Sequence, residues 1–357
     1  MRKLSLLAIL ATLLLPDVAA AELPEALMAP APFSRQASHG LFVSLARAGN
    51  RLVAVGEQGR ILLSNDNGLS WHQVPVPTDV TLTGVTFATS LDGWAIGQMG
   101  VILRTQNAGR SWKRVFNGEQ ANNALVKVAA ADMKAQPNDQ VAKANLVAAE
   151  QFIAGGITVP FLGIQALSAS DIIAVGGFGM AFESHNAGAD WFPIFDAIPN
   201  QNGLNIYATL TSGKQVYFIG EQGFLVRRNA DGSYTTLNVP TSGTLFGGIV
   251  VGKGSLVLYG LQGTVLRSTD EGAHWQVIKT GVTAGIDAGV ILADAQIILG
   301  DNAGDLLVSS DGGQHFTVAA DAGEPVTGII QASNGSIIVS GPAGIKIIHL
   351  AHKHSRA

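Results

Sequence analysis

The sequence predicts an all-β protein, a seven-bladed β-propeller with Asp-box repeats and a helical hairpin inserted between blades 2 and 3. Seven units each contain an apolar run that ends in a marker glycine, then a short loop and a second apolar run. The marker glycines are Gly56, Gly97, Gly176, Gly220, Gly260, Gly300 and Gly341. They recur about every 40 residues once an insertion is set aside, a period typical of four-stranded propeller blades.

The composition suits many short, buried strands joined by tight turns. Charged residues make up 13% of the chain, about half of their share in ordinary soluble domains. The formal net charge is −4, without a basic stripe, which argues against nucleic acid as a partner. The chain has no cysteine, so an exported form would depend on its core rather than on disulfides.

Residues 1–21 are predicted to be a secretory signal peptide. Arg2 and Lys3 precede an apolar run from Leu4 to Leu15, and small residues follow up to Ala21. This order is typical of export signals, and the run is shorter than the roughly 20 residues of a membrane-spanning helix. We therefore expect cleavage after Ala21 and a periplasmic or otherwise exported chain that does not itself span the membrane.

Residues 22–40 form an N-terminal segment ahead of the propeller, which we place at 41–351. The seventh unit ends near Leu350 after three predicted strands. We hypothesise that the stretch from Met28 to Arg35 supplies the missing outer strand of blade 7, because closure of the ring removes exposed strand edges. Residues 352–357 are predicted to be a mobile tail, in which His352 and His354 lack the fixed geometry of a metal site.

The insertion between blades 2 and 3, residues 119–158, differs from the repeat. It is rich in alanine, has apolar residues at helical spacing and is interrupted at Pro137, so it predicts a two-helix hairpin. Leu125, Val128, Leu146 and Phe152 are candidates for helix pairing or for contact with a partner. A hairpin that packs on the propeller's own surface is the alternative that amphipathic helices more often adopt.

Five units carry an Asp-box, SxDxGxxW, after the second apolar run. Its strict or softened copies are Ser64, Asp66, Gly68 and Trp71; Thr105, Asn107, Gly109 and Trp112; Ser184, Asn186, Gly188 and Trp191; Ser268, Asp270, Gly272 and Trp275; and Ser309, Asp311, Gly313 and Phe316. The Asp or Asn accepts N–H groups of a turn, the glycine takes a left-handed conformation, and the Trp fills space between strands. Because a catalytic residue is needed once per site, we interpret this recurring pattern as a structural turn.

Blade topology divides the loops between two faces. In a four-stranded up-and-down blade the Asp-box turn joins strands three and four, so the marker-glycine loops and the hairpin insertion lie on the opposite face, which we call the GxxG face. The candidate partner-binding residues there are Glu57, Gln58, Gln98, Met99, Phe178, Glu221, Gln222, Gln262, Asp301 and Asn302. Their acids and amides could bind a polar ligand or a cation, or could be solvated loop residues.

A second candidate surface is a strip at the ends of the third strands, just before the Asp-boxes. Arg104, Arg227 and Arg267 lie there together with Glu183. The strip offers an anionic partner a binding surface. Alternatively, the arginine stems cover neighbouring blades while their guanidinium groups reach water or Glu183.

Because the Asp-box also occurs in sialidases, the competing class is a glycan-binding protein or a glycosidase. Glu57 and Glu221 fall nearly across the ring, whereas glycosidase carboxyl groups lie about 5 to 9.5 Å apart. Tyr217 and Tyr259 lie inside apolar strands, which does not suit a tyrosine nucleophile. We therefore expect no enzyme activity, no cofactor and no metal.

The run DGWAIGQMGVILRTQNAGRSW, Asp92 to Trp112, and its six counterparts resemble the photosystem II assembly and stability factor family. The resemblance extends over about Leu41 to Leu350. It implies a seven-bladed, non-catalytic scaffold, expected to be monomeric, that helps a membrane protein complex to assemble or work. In a non-photosynthetic host, it implies an accessory protein, for example of a resistance-nodulation-division (RND) exporter. The hairpin, Asn107 and Asn186 depart from the family pattern.

Overall fold

A computed structural model describes residues 23–154 and 156–350, and it confirms a seven-bladed propeller with an inserted helical hairpin. The strands of each blade follow one another in sequence order. First strands of neighbouring blades contact each other, so they form the wall of the central channel. Among the described residues, no helix is both long and apolar enough to cross a membrane.

A short helix, α1 (Glu25–Met28), precedes the blades. The first four blades have four strands each. They are β1 (Phe42–Ala48), β2 (Arg51–Gly56), β3 (Ile61–Ser64) and β4 (His72–Gln73) in blade 1; β5 (Leu82–Phe87), β6 (Gly93–Gly97), β7 (Ile102–Thr105) and β8 (Lys113–Phe116) in blade 2; β9 (Phe161–Ala166), β10 (Ile172–Gly176), β11 (Ala181–Ser184) and β12 (Phe192–Pro193) in blade 3; and β13 (Ile206–Ser212), β14 (Gln215–Gly220), β15 (Leu225–Arg228) and β16 (Tyr234–Thr236) in blade 4.

The remaining blades differ in their outer strands. Blade 5 has β17 (Leu245–Gly252), β18 (Ser255–Gly260), β19 (Val265–Ser268) and β20 (Gln276–Val277); blade 6 has β21 (Ile286–Ile291), β22 (Ile297–Asp301), β23 (Asp305–Ser309) and β24 (Thr317–Asp321); and blade 7 has β25 (Gly328–Gln331), β26 (Ile337–Gly341) and β27 (Gly344–Ile348). Blade 7 is therefore a three-stranded sheet in the described part of the chain.

The core lies between blades rather than within any one of them. The second strand of each blade is sandwiched between two neighbouring blades, and all five residues of β6, Gly93–Gly97, are buried. In a sequence, a strand that is buried on both faces appears as a continuous run of apolar residues, without the alternation of apolar and polar residues that marks a half-exposed strand. This burial explains the run of apolar residues before each marker glycine.

The marker-glycine loops are tight two-residue turns. In blade 1, the N–H of Arg60 donates to the carbonyl of Glu57 at 3.1 Å, and the central residues Gln58 and Gly59 have φ values of 53° and 65°. Positive φ at both positions defines a type I′ turn, whose twist matches that of the strands it joins. Glycine fits the second position without strain.

The insertion forms the predicted helical hairpin. Helix α2 (Gly118–Ala135) begins after Asn117, whose side chain accepts the N–H of Gln120, and α3 is Gln140–Ala154. The break falls around Pro137, as the sequence predicts. Leu125 and Ala129 of α2 are buried in one cluster with Trp191 of blade 3, so the hairpin packs on the propeller itself.

The N-terminal segment does not complete blade 7, contrary to our hypothesis. Residues 28–35 contain no strand, and Nε2 of Gln73 in β4 donates to the carbonyl of Pro32 at 2.8 Å. The segment therefore lies along the outer edge of blade 1, where Leu27 is fully buried. Pro30 and Pro32 explain the error, because they lack the N–H groups that a strand ladder requires. Residues 1–22 and 351–357, which include the predicted signal peptide, His352 and His354, lie outside the described residues.

Candidate functional site

The GxxG face presents the first central residue of each type I′ turn to solvent. Gln58, Gln222 and Gln262 are exposed, Phe178 is 65% exposed, and Met99 is half-buried. All five have φ values between 53° and 58°, a left-handed conformation that directs their side chains away from the blade. The exposed Gln98 lies beside Met99 in the blade 2 turn. Of these turn side chains, those of Gln58, Phe178, Gln222 and Gln262 are exposed, and that of Met99 is half-buried.

The two glutamates of this face brace their own blades. Oε1 of Glu57 pairs with Nη1 of Arg60 at 3.1 Å and accepts the N–H of Leu41 at 3.3 Å. Glu221 accepts the N–H of Asn205 at 3.0 Å and its Nδ2 at 2.9 Å. Each carboxylate therefore ties the loop to the start of the innermost strand, and the two do not form a joint site.

Asp301 does not belong to the exposed column in which the sequence places it. It pairs with Ile286 at the position where Gly56 pairs with Phe42 in blade 1, so the glycine marker of blade 6 is shifted by one residue. The side chain is fully buried, and Oδ1 accepts the N–H groups of Ala303, Gly304 and Asp305 at 2.8 to 3.0 Å. The three residues between Asp301 and Asp305 correspond to Glu57–Gly59 of blade 1, and this carboxylate caps the loop that they form.

A ring of side chains that the sequence analysis missed surrounds the channel mouth on the GxxG face. In blades 1 to 6 the innermost strand has an irregular register at its second residue. We call these the bulge residues; they are Val43, Thr83, Leu162, Tyr207, Phe246 and Asp287. Such bulges redirect side chains and recur beside functional sites. The rings of Tyr207 and Phe246, on adjacent blades, meet edge-on at 5.4 Å between centroids.

Asp287 is the one acid among the six bulge residues, and its pKa is raised. Burial raises its pKa to about 6, and the neighbouring charge of Asp301 adds to the effect. Both causes disfavour the ionised form, so a bound cation would be favoured here. A residue with such a shift at a channel mouth is a candidate functional group. The repeated second position of each inner strand was the signal in the sequence that could have identified it.

The helical hairpin exposes part of its second helix on the same face. Val141 and Val147 of α3 are 66% and 47% exposed. The predicted candidates lie elsewhere: Leu125 is buried, while Val128 and Leu146 are half-buried. Leu125 and Leu146 belong to the apolar cluster between the hairpin and the propeller. The side chain of Phe152 lies outside the described residues.

The predicted arginine strip lies at the boundaries between blades. Nε of Arg267 donates to the carbonyl of Gly312 at 2.8 Å, and Nη1 of Arg227 donates to that of Glu271 at 3.2 Å. Both acceptors belong to the Asp-box turn of the next blade. Arg104 pairs with Asp92 at 3.5 Å and stacks over the ring of Trp94. These contacts favour the alternative in which the arginines cover neighbouring blades.

Glu183 of the same strip holds Arg228 rather than Arg227. Its Oε2 lies 2.9 Å from Nη1 of Arg228 across the boundary between blades 3 and 4, and its Oε1 lies 3.3 Å from His185. Asp171 accepts a hydrogen bond from the other ring nitrogen of His185, and this contact raises the pKa of His185. These four side chains therefore form a network of ion pairs and hydrogen bonds at the boundary between blades 3 and 4.

The Asp-boxes are structural turns on the opposite face. In blade 5, Oγ of Ser268 donates to Oδ1 of Asp270 at 2.8 Å and accepts the N–H of Gly272 at 2.9 Å. Hydrogen bonds from the N–H of His274, from its ring and from the hydroxyl of Ser268 lower the pKa of Asp270 to about 2. The other strict or softened boxes repeat this arrangement, with Asn107 and Asn186 in place of the acid.

The tyrosines do not offer a nucleophile of the sialidase type. Tyr217 is fully buried and donates to the carbonyl of Glu271 at 3.1 Å, and Tyr259 is 7% exposed. Burial raises the pKa of both phenols. Within residues 23–154 and 156–350, no group of three potential metal ligands comes together.

The blades and their repeated turns define an Asp-box β-propeller. Residues 41–136 match the family model described as "Photosynthesis system II assembly factor YCF48". The chain is therefore similar to the photosystem II assembly factors, and the resemblance predicted from its repeats is confirmed.

Individual relatives support this likeness over different lengths. "Photosystem II stability/assembly factor HCF136, chloroplastic" of Cyanidioschyzon merolae is 31% identical over 88 residues, which are 24% of this chain and 19% of that protein. The chain thus spans about a fifth of the length of the curated relative. The solved structure "YCF48 bound to D1 peptide" has a TM-score of 0.63 at 16% identity and covers 88% of this chain and 94% of its own. The structure "YCF48 from Cyanidioschyzon merolae" has a TM-score of 0.62 at 15% identity, and the match covers 89% of this chain and 97% of that one. At these identities, the two structures show the fold alone.

Proposed function

We propose that this chain is a non-catalytic scaffold that helps a membrane protein complex to assemble, remain stable or work. The observation that carries the proposal is the GxxG face, where exposed turn side chains surround a rim of apolar and aromatic bulge residues. Exposed apolar side chains beside a polar rim are typical of protein-binding surfaces. The similarity of residues 41–136 to a photosystem II assembly factor agrees with a protein client.

We infer that the client presents an extended segment to this face. One propeller of the same fold is bound to a D1 peptide, and the inference carries that mode of binding to this chain. In a non-photosynthetic host, the client would be another membrane complex, such as an RND exporter. The scaffold acts as a monomer in this proposal, since each propeller has its own channel mouth.

Export to the periplasm is part of the same proposal. It is supported by Arg2 and Lys3 ahead of the apolar run from Leu4 to Leu15, an order typical of signal peptides. A sialidase-type function has no comparable support, because Tyr217 and Tyr259 are buried.

Photo-crosslinking in the native host tests the proposal. A photoreactive phenylalanine replaces Phe178 on the GxxG face or, as a matched control, Leu69 in the Asp-box turn of blade 1; these side chains are 65% and 77% exposed. We expect a membrane protein to be captured from position 178 and not from position 69. Equal capture from both positions, or none from 178, would contradict the proposal.

A deletion separates the hairpin from the rest of the face. A variant that lacks residues 119–158 carries the same photoreactive group at position 178. Loss of the adduct assigns docking to the hairpin, which exposes Val141 and Val147. An unchanged adduct assigns docking to the turns and the channel mouth alone.

A further inference from the structure

The channel mouth on the GxxG face has a single acid among its bulge residues. The other five are Val43, Thr83, Leu162, Tyr207 and Phe246. A charge placed in such a ring is costly, because burial disfavours the ionised form of Asp287. A fold keeps such a group where a ligand offsets the cost.

Three side chains of different chemistry converge near Asp287. The position that a Cβ would take on Gly285 is 3.7 Å from Cε2 of Phe246, 3.8 Å from Oδ1 of Asp287 and 3.2 Å from Nδ2 of Asn302. An aromatic ring, a carboxylate and an amide therefore lie around one backbone position. We call Phe246, Asp287 and Asn302 the blade 6 notch.

Asp301 adds a second carboxylate beside the notch. Its Oδ1 is used by the N–H groups of the loop, whereas its fully buried Oδ2 has no hydrogen-bond donor among the described residues. The charge of Asp301 adds to the raised pKa of Asp287, so the two carboxyl groups are close enough to interact. A buried carboxylate oxygen that has no donor lowers the stability of the folded state, and a positive charge in the notch would offset the repulsion between the two carboxylates.

We propose that the blade 6 notch binds the guanidinium group of an arginine from a partner protein. A planar guanidinium donates two parallel N–H groups to a carboxylate such as Asp287 and stacks on an aromatic ring such as Phe246. Its remaining N–H groups suit an amide oxygen such as that of Asn302. This inference rests on the proposed function, because it identifies one contact of the client with the GxxG face.

Binding of a small arginine probe to the full chain tests the notch without a client. N-acetyl-arginine amide is titrated into the protein at pH 7.5 and followed by the NMR amide signals of Gly285 and Asn302. N-acetyl-citrulline amide, a neutral isostere, and calcium chloride are the comparison ligands. The variants are Asp287→Asn, Phe246→Leu and, as a control in the exposed turn between β21 and β22 of the same blade, Asp294→Asn.

We expect the arginine probe to shift both signals and the citrulline probe to leave them unchanged. Asp287→Asn weakens binding at least about tenfold and Phe246→Leu about threefold, while Asp294→Asn retains wild-type affinity. Equal responses to arginine and citrulline, or full binding by Asp287→Asn, would overturn the proposal, as would a response to calcium alone. Because the probe binds without a membrane client, a failure here is distinct from a failure of the crosslinking experiment.

Discussion

The hydroxyl group of each Asp-box serine or threonine donates to the Asp or Asn side chain and accepts the N–H of the box glycine. In blade 5, Ser268 is 2% exposed and joins Asp270 to the N–H of Gly272. In blade 2, Thr105 makes the same pair of contacts. The turn therefore uses the hydroxyl group in every box and tolerates the additional methyl group of threonine.

Replacement of Ser268 tests this role. We expect Ser268→Ala to lower the free energy of unfolding by about 1 to 3 kcal/mol, because the buried N–H of Gly272 loses its acceptor. Ser268→Thr should remain within about 0.5 kcal/mol of wild type. Urea denaturation measures both variants. Equal loss of stability in both would show that shape rather than the hydroxyl matters.

A second residue-scale prediction concerns Asp287 and pH. Its folded-state pKa is raised to about 6, so between about pH 4 and 6 the folded state binds more protons than the unfolded state, and stability falls as pH rises through this window. The groups that interact with it are Asp301 and Tyr259. Asp287→Asn should be about 1 to 2 kcal/mol more stable than wild type at pH 7.5 and no more stable near pH 4.

Urea unfolding at pH 4, 5, 6 and 7.5 measures this difference. Glu57→Gln is the matched control, since Glu57 is paired with Arg60 and its loss should give no stabilisation at pH 7.5. A less stable Asp287→Asn at neutral pH would show that the carboxylate already has a favourable partner.

At the scale of elements, the hairpin is held by its first helix. Helix α2 buries Leu125 and Ala129 against Trp191 and Phe116, whereas α3 leaves Val141 and Val147 exposed. The sequence predicted both helices and their break, because their spacing and Pro137 are local signals. It could not decide which apolar positions face the propeller, because that depends on where the blade ends beneath them.

Truncation of the buried Leu125 and truncation of the exposed Val147 should therefore have different effects on the docking of the hairpin. We expect Leu125→Ala to destabilise the docked hairpin by about 2 to 4 kcal/mol through the cavity it leaves. Val147→Ala should have little effect. Hydrogen exchange of α2 and α3 and proteolysis near Pro137 report the docking. Faster exchange in the Val147→Ala variant than in the Leu125→Ala variant would reverse the assignment.

The whole molecule is a ring whose repeat and strand order were predictable from the period of its glycines. Two features were not. Pro30 and Pro32 prevent the N-terminal segment from forming a strand of blade 7, and in blade 6 Asp301, rather than Gly300, takes the position of the marker glycine, so that its side chain lies in the core. Both depend on contacts between distant parts of the chain, so a repeat alignment cannot show them.

Closure of the ring between blades 7 and 1 includes several side-chain hydrogen bonds. Nη2 of Arg47 donates to Oγ of Ser333 at 3.3 Å, and Oγ of Ser333 donates to Oδ1 of Asn50 at 3.1 Å. Oγ1 of Thr327 donates to the carbonyl of Phe42 at 2.6 Å, and Thr83 makes the equivalent contact with Phe161 between blades 2 and 3. Between blades 2 and 3, the indole N–H of Trp94 also donates to the carbonyl of Ala187.

Removal of the two threonine hydroxyls should therefore have similar effects. We expect Thr327→Val to lower the unfolding free energy by about 1 to 2 kcal/mol and to speed hydrogen exchange in β1 and β25. Thr83→Val should have an effect of the same size, because each boundary keeps other hydrogen bonds, those of Ser333 between blades 7 and 1 and that of Trp94 between blades 2 and 3. Thermal denaturation with exchange mass spectrometry compares them. A clearly larger effect of one variant would show that its boundary depends more on the threonine hydroxyl than the other boundary does.

The six bulges have a consequence for how such propellers diversify. Each bulge residue is held by a backbone irregularity that recurs in blades 1 to 6, while its side chain ranges from Val43 to Asp287. The backbone shape of these positions is thus constant, whereas the side chains that form the contact surface vary. Randomisation of these six codons should give a library of folded variants with new ligand preferences, much as antibody loops vary on a constant framework.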